Sequence, residues 1–173
     1  MRPIEFRSPL RPHSRSFGRR FVASLAILAA LAAGAVTSAA AGSLAPLEGS
    51  WGGAGTATFE GGSREKLRCN GYYRSNGPDL GMVIRCASPG GAKIELRGNL
   101  KESGGRVSGT WEERTYNATG NVSGSASAGS LRVSISGAIT GSMSVSFTQS
   151  SQSVSISTIG TALRTVNISF SRR

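Results

Sequence analysis

After residue 13 the chain contains no histidine: the one histidine among its 173 residues is His13. Serine and cysteine nucleophiles of the familiar triads need an imidazole to take their proton, so Ser-His-Asp and Cys-His chemistry is excluded beyond that point. Cysteine is nearly as scarce, with Cys69 and Cys86 alone. Two thiols without histidine fall short of the four ligands of a structural zinc site. They also stand much further apart than the two-residue spacing of a dithiol redox centre, so neither metal nor cofactor is expected. Acids number nine against 20 Lys and Arg. A carboxylate-pair hydrolase needs two acids ~5–9 Å apart across a cleft, and only Glu113 shares the apolar parity of its segment, beside Trp111, with no second acid to join it. The chain therefore reads as a non-enzyme. Helical periodicity is absent from every window after residue 42, and no apolar run reaches the ~20 residues of a spanning helix.

The first 41 residues differ from the rest. "MRPIEFRSPLRPHSRSFGRR" carries six arginines and one acid, and the apolar run "FVASLAILAALAAGAV" follows, sixteen residues long. Ala39 and Ala41 then supply the small-x-small pattern of a signal peptidase site. Residues 1–41 are expected to be a secretory signal peptide, 42–49 a short linker and 50–173 a single β domain. Arg19 and Arg20 precede the apolar run, which leaves Sec and twin-arginine export both open. The leader takes six of the 20 basic residues and one of the nine acids with it, leaving 14 basic and 8 acidic residues, a net charge of +6. Export also predicts a periplasmic or extracellular setting, in which two cysteines favour a disulfide.

The stretch "RCNGYYRSNGPDLGMVIRC", residues 68–86, tests that expectation. Leu67, Cys69, Gly71 and Tyr73 alternate onto one face, as do Leu80, Met82, Ile84 and Cys86, and Asn-Gly-Pro-Asp between them is turn chemistry. Placing Asn76 opposite Asp79 sets Tyr73 against Met82, Gly71 against Ile84 and Cys69 against Cys86. Turn, apolar faces and cysteines agree on one register, so the pair is read as a structural staple.

The same alternation recurs along the chain and predicts ten strands, near 51–60, 64–74, 80–88, 92–101, 105–115, 118–128, 130–138, 142–149, 152–159 and 162–171. Each has a single apolar face, and closing the sheet on itself buries all of them while removing exposed edges. The fold class is all-β, an antiparallel up-and-down barrel of about ten strands, with a two-sheet sandwich as the alternative. Glycines at inward positions suit a sharply bent sheet.

"LEGSW", Leu47 to Trp51, resembles the Gly-x-Trp opening strand of calycin-type barrels, the lipocalins, avidins and small periplasmic protease inhibitors. The resemblance implies that Trp51 plugs one barrel end and that a basic residue of the last strand packs across it; Arg164 and Arg172 have the required parity. "SGTW", Ser108 to Trp111, is a second such element, so the family position is open between the two. The resemblance further implies either an interior site for a small apolar ligand or an outer surface that engages an envelope protein. Phe59, Tyr73, Trp111, Phe147 and Phe170 have inward parity and are the candidate ligand-lining residues. Lys66, Arg68, Arg74, Arg85, Lys93 and Arg97 have outward parity with Tyr72, which suits an anionic envelope surface. Nucleic acid is the less favoured partner, because Glu65 and Glu95 interrupt that charge. An outer-membrane barrel is a further alternative, opposed by short strands and by aromatic residues at only 6% of the chain.

Overall fold

Strict alternation makes each segment an amphipathic strand, and tight turns return each strand beside the one before it. The computed structural model describes residues 43–173; the leader expected over 1–41 lies outside the described residues. The strands are β1 (Gly49–Phe59), β2 (Arg64–Asn76), β3 (Asp79–Ala87), β4 (Lys93–Ser103), β5 (Arg106–Glu113), β6 (Ala118–Ser127), β7 (Ser130–Gly137), β8 (Thr140–Phe147), β9 (Ser151–Ile159) and β10 (Leu163–Arg172). Every boundary lies within two residues of its expected position. Each strand pairs antiparallel with the next, and β1 pairs with β10 from Trp51↔Arg172 to Phe59↔Leu163. That last pairing closes the sheet into a barrel and rules out the sandwich.

The β2–β3 hairpin has the expected register, Asn76↔Asp79, Tyr73↔Met82, Gly71↔Ile84 and Cys69↔Cys86. Gly77, at φ +59°, supplies the left-handed backbone that its turn requires. Cys69 and Cys86 are joined by a disulfide across facing strands, with their Cα atoms 4.1 Å apart.

The apolar parity faces inward on all ten strands, from Trp51 and Ala57 on β1 to Val166, Ile168 and Phe170 on β10. Outward positions of β6 to β9 are almost all Ser, Thr or Asn. A lipid-facing barrel carries its apolar band outside, so this pattern is the reverse of an outer-membrane barrel. Among the described residues no helix is long and apolar enough to cross a membrane.

Strand curvature depends on glycine at points of closest approach. Gly120 on β6 faces Gly137 on β7, which has φ +122°. A Cβ at Gly120 would run into the Ser136 carbonyl oxygen and come within 2.6 Å of the Trp111 indole nitrogen. Gly120→Ala therefore displaces backbone and should destabilise by about 1–3 kcal/mol. Gly81→Ala, whose Cβ meets nothing nearer than 3.9 Å, should be close to neutral. Urea unfolding of the two variants compares them directly.

Candidate functional site

The two barrel ends are built differently. At the end where β1 begins, the segment expected to be a linker instead carries a 3-10 turn, Ala45–Leu47, that packs into the barrel. Leu44 and Leu47 are buried because their side chains cover the barrel mouth. Proline inside the turn, at Pro46, fixes its φ for this conformation. Trp51 is fully buried beneath it and donates its indole N–H to the Leu47 carbonyl at 2.8 Å.

Arg172 lies across this end. Its Cζ is 4.3 Å from the Trp51 ring centroid, and its guanidinium donates to the carbonyls of Pro46, Glu48 and Gln149. One side chain of the final strand thus ties together the turn, the first strand and the β8–β9 connection. Arg164, the other basic residue considered for this position, stands at the opposite end and pairs with Glu60. Sequence parity could not separate the two arginines, which are eight residues apart; in the structure a register shift between β1 and β10 puts Leu163 opposite Phe59 and leaves the Arg164 side chain 40% exposed.

Aromatic side chains fill the plugged half. A Cβ at Gly71 would touch Tyr73, Trp51 and Phe170 within 3.7 Å, so these three side chains surround the space that the glycine leaves. The Tyr73 hydroxyl donates to Gln152 Oε1 at 2.9 Å, and both residues are buried. Gln152 occupies an inward position that alternation assigns to an apolar residue, and its Nε2 has no protein partner. Burial holds the Tyr73 pKa well above the ordinary tyrosine value of ~10. The folded protein thus keeps a proton that the unfolded chain releases above that pH. Its contribution to stability is complete below pH ~10 and is lost progressively as pH rises beyond it toward the folded-state value. Unfolding free energy measured between pH 9 and 11.5 should fall less steeply in Tyr73→Phe than in the parent.

At the opposite end lies an apolar cavity of about 80 Å³, bordered chiefly by Ile84, Ile94, Leu96, Ile135, Ile139, Ile156 and Ile168. Trp111 also borders it, and its indole N–H donates to the Ser136 carbonyl at 3.1 Å. Of the five expected lining aromatics, only Trp111 reaches this space. Tyr73 and Phe170 are part of the plugged half. Phe147 is buried at the β8 end nearest the plug, and Phe59 is partly buried beside the cavity's rim. Aliphatic side chains line the cavity instead, and alternation alone could not tell them from filler. Cys86 sits in this wall, so the disulfide braces the barrel next to the cavity.

Glu113, the single acid of inward parity, accepts hydrogen bonds from the backbone N–H groups of Glu95 at 2.8 Å and Tyr116 at 2.7 Å. Oε1 thereby ties β5 to β4 and Oε2 holds the β5–β6 connection, so both carboxylate oxygens are committed. Among the described residues there is no cluster of His, Cys, Asp and Glu able to hold a metal ion. On the outer face, Arg85 stands opposite Glu95, and Glu95 also pairs with Arg97 at 2.7 Å. Hydrogen bonds from Arg97 and then Arg85 hold the Glu95 carboxyl below its ordinary pKa.

No family model and no curated protein matches this chain. Solved structures do. The crystal structure of Rv2717c from M. tuberculosis is 17% identical, with 77% of this chain and 98% of that one covered at a TM-score of 0.59. The S-type phycobiliprotein lyase CPES from Guillardia theta is 12% identical, with 75% and 89% covered at a TM-score of 0.50. At these identities the likeness establishes a shared fold: a closed antiparallel barrel.

Proposed function

We propose that this protein is an exported, non-catalytic barrel of calycin type that binds a slender apolar group, such as the end of an acyl chain, through its open end. The observation that carries the proposal is the asymmetry of the two ends: Trp51, Leu47 and Arg172 stopper one, while the other leads to a cavity walled by isoleucines. Ile94, Ile139, Ile156 and Leu163 are only partly buried there, which leaves apolar surface at the rim.

Size sets the ligand class. Sites for whole small molecules measure roughly 300–1,000 Å³, and a cavity of roughly 150 Å³ takes one benzene ring. At about 80 Å³ the space admits a chain end, with the remainder of the ligand lying on the rim. Each methylene buried would contribute about 0.8 kcal/mol. The test is native mass spectrometry of protein purified from its source, followed by titration of delipidated protein with a fluorescent fatty acid. Saturable binding is expected, and Ile156→Trp, which fills the cavity, should abolish it while leaving the circular dichroism spectrum intact. Absence of any adduct together with absence of saturable binding rejects the interior site and leaves an envelope protein as the partner to seek.

A further inference from the structure

A broad concavity lies on the outside of the barrel, unrelated to the interior site. It measures about 980 Å³ and is bordered by residues from the start of β1 and from β2 to β6, and a second recess of about 230 Å³ lies over β2 to β4. Side-chain length explains both. The outward positions of β3 are Gly81, Val83, Arg85 and Ala87, three of them short, while the facing positions on β2 and β4 carry long side chains. Tyr72 and Arg97 flank Val83, Arg74 and Asn99 flank Gly81, and Arg68 and Lys93 flank Ala87. A trough therefore runs along β3. At ~3.4 Å per residue it extends ~20 Å from Gly81 to Ala87. Arg85, the one long side chain in its floor, is drawn aside onto Glu95.

Charge is concentrated on the same face. Outward positions 66–74, 81–87 and 93–99 hold six cations, Lys66, Arg68, Arg74, Arg85, Lys93 and Arg97, against the carboxylate of Glu95 there and that of Glu112, which faces Arg97 from β5 and is drawn onto Arg114. The outward positions of β6 to β9 hold one charged residue, Arg132. An even scatter of the excess charge would not produce this division, and a cationic trough with low walls attracts an extended anion.

Which anion is decided by the remaining groups. Beyond Arg97 the larger recess continues over Asn99, Thr110, Thr119 and Asn121, with Glu112 beside them held by Arg114; the amides and hydroxyls both donate and accept hydrogen bonds. Such groups match a ligand rich in hydroxyls. Tyr72, 44% exposed, is the one aromatic on this face, whereas single-stranded nucleic acid is held on successive aromatic platforms. A bilayer surface is flat and gains nothing from a trough. We infer that the outer face of β2 to β5 is a binding groove for an acidic polysaccharide chain, its carboxylates or sulfates paired with arginines along β2 and β4 and its hydroxyls with Asn99 and Thr110. Guanidinium groups suit this because they bind such anions through two parallel hydrogen bonds.

Polygalacturonate oligomers titrated against the barrel test the inference, with uncharged dextran as the control. Binding that weakens with salt is expected for polygalacturonate, and none for dextran. Arg74→Gln and Arg97→Gln should each weaken it roughly threefold, and Arg132→Gln, on the far side, should not change it. Gly81→Phe carries no charge change and has open space for its side chain; by filling the trough it should weaken binding roughly tenfold or more. Unchanged affinity in Gly81→Phe, equal sensitivity to Arg132→Gln, or no binding of polygalacturonate overturns the inference. So does tighter binding of a single-stranded oligonucleotide, or sedimentation with phosphatidylglycerol vesicles that Gly81→Phe reduces. Either result would assign the groove to that partner.

Discussion

Trp51→Ala should lower the unfolding free energy by ~3–5 kcal/mol, the usual cost of deleting a large buried aromatic side chain. Three losses combine at this position. The indole leaves a void under the 3-10 turn, the Leu47 carbonyl loses its donor, and Arg172 loses the ring beneath it. The last of these can be isolated by a double-mutant cycle. A guanidinium over an indole is worth about 0.5–2 kcal/mol according to its exposure, so Arg172→Ala should cost measurably less in the Trp51→Ala background than in the parent. It should keep part of its effect there, because its hydrogen bonds to the Pro46, Glu48 and Gln149 carbonyls do not involve the ring. Arg164→Ala, at the far end with Glu60, should add to Trp51→Ala within about 0.3–0.5 kcal/mol. Zero coupling at Arg172 would mean that the ring and the guanidinium are merely adjacent.

Removing the disulfide should have the next largest effect. The link between Cys69 and Cys86 spans a sequence separation of 17, and closing a loop of that size stabilises by roughly 3 kcal/mol in the chain-entropy model. The double Cys→Ala variant should therefore unfold at clearly lower urea concentration. Its fold should survive, since the hairpin register is also set by the Gly77 turn and by the apolar faces of both strands. Alkylation of the denatured, unreduced protein should find no free thiol. Fatty-acid binding should persist in the variant; loss of binding in a folded double mutant would show that the bridge positions the cavity wall at Cys86 as well as stabilising it.

Much of the architecture was legible because a strand's side chains alternate with a period of two. That period places Trp51, Leu67, Ile84, Leu131, Val154 and Phe170 inside without reference to any neighbour, and all six are buried. Turn residues then fix which strand follows which, so the hairpin of β2 and β3 could be paired residue by residue.

Alternation says which side of the wall a residue faces but not how far along the barrel axis it lies. Arg164 and Arg172 were equivalent by parity and ended at opposite ends of the barrel. Five aromatics were equivalent by parity, yet only Trp111 borders the cavity. Leu44 and Leu47, in a stretch too short to show any period, became the lid of the plugged end.

Local pattern thus settled strands, turns, the disulfide and the inward faces, since each depends on residues close in the chain or directly across one hairpin. Closure required the pairing of β1 with β10, more than a hundred residues apart, and nothing local specifies that. Once closed, the barrel brings the termini of the domain together. That contact makes one end a plug, leaves a small apolar cavity at the other, and lines up the short residues of β3 between long neighbours as a trough. These features depend on distances between side chains remote in sequence, which only the packed structure provides.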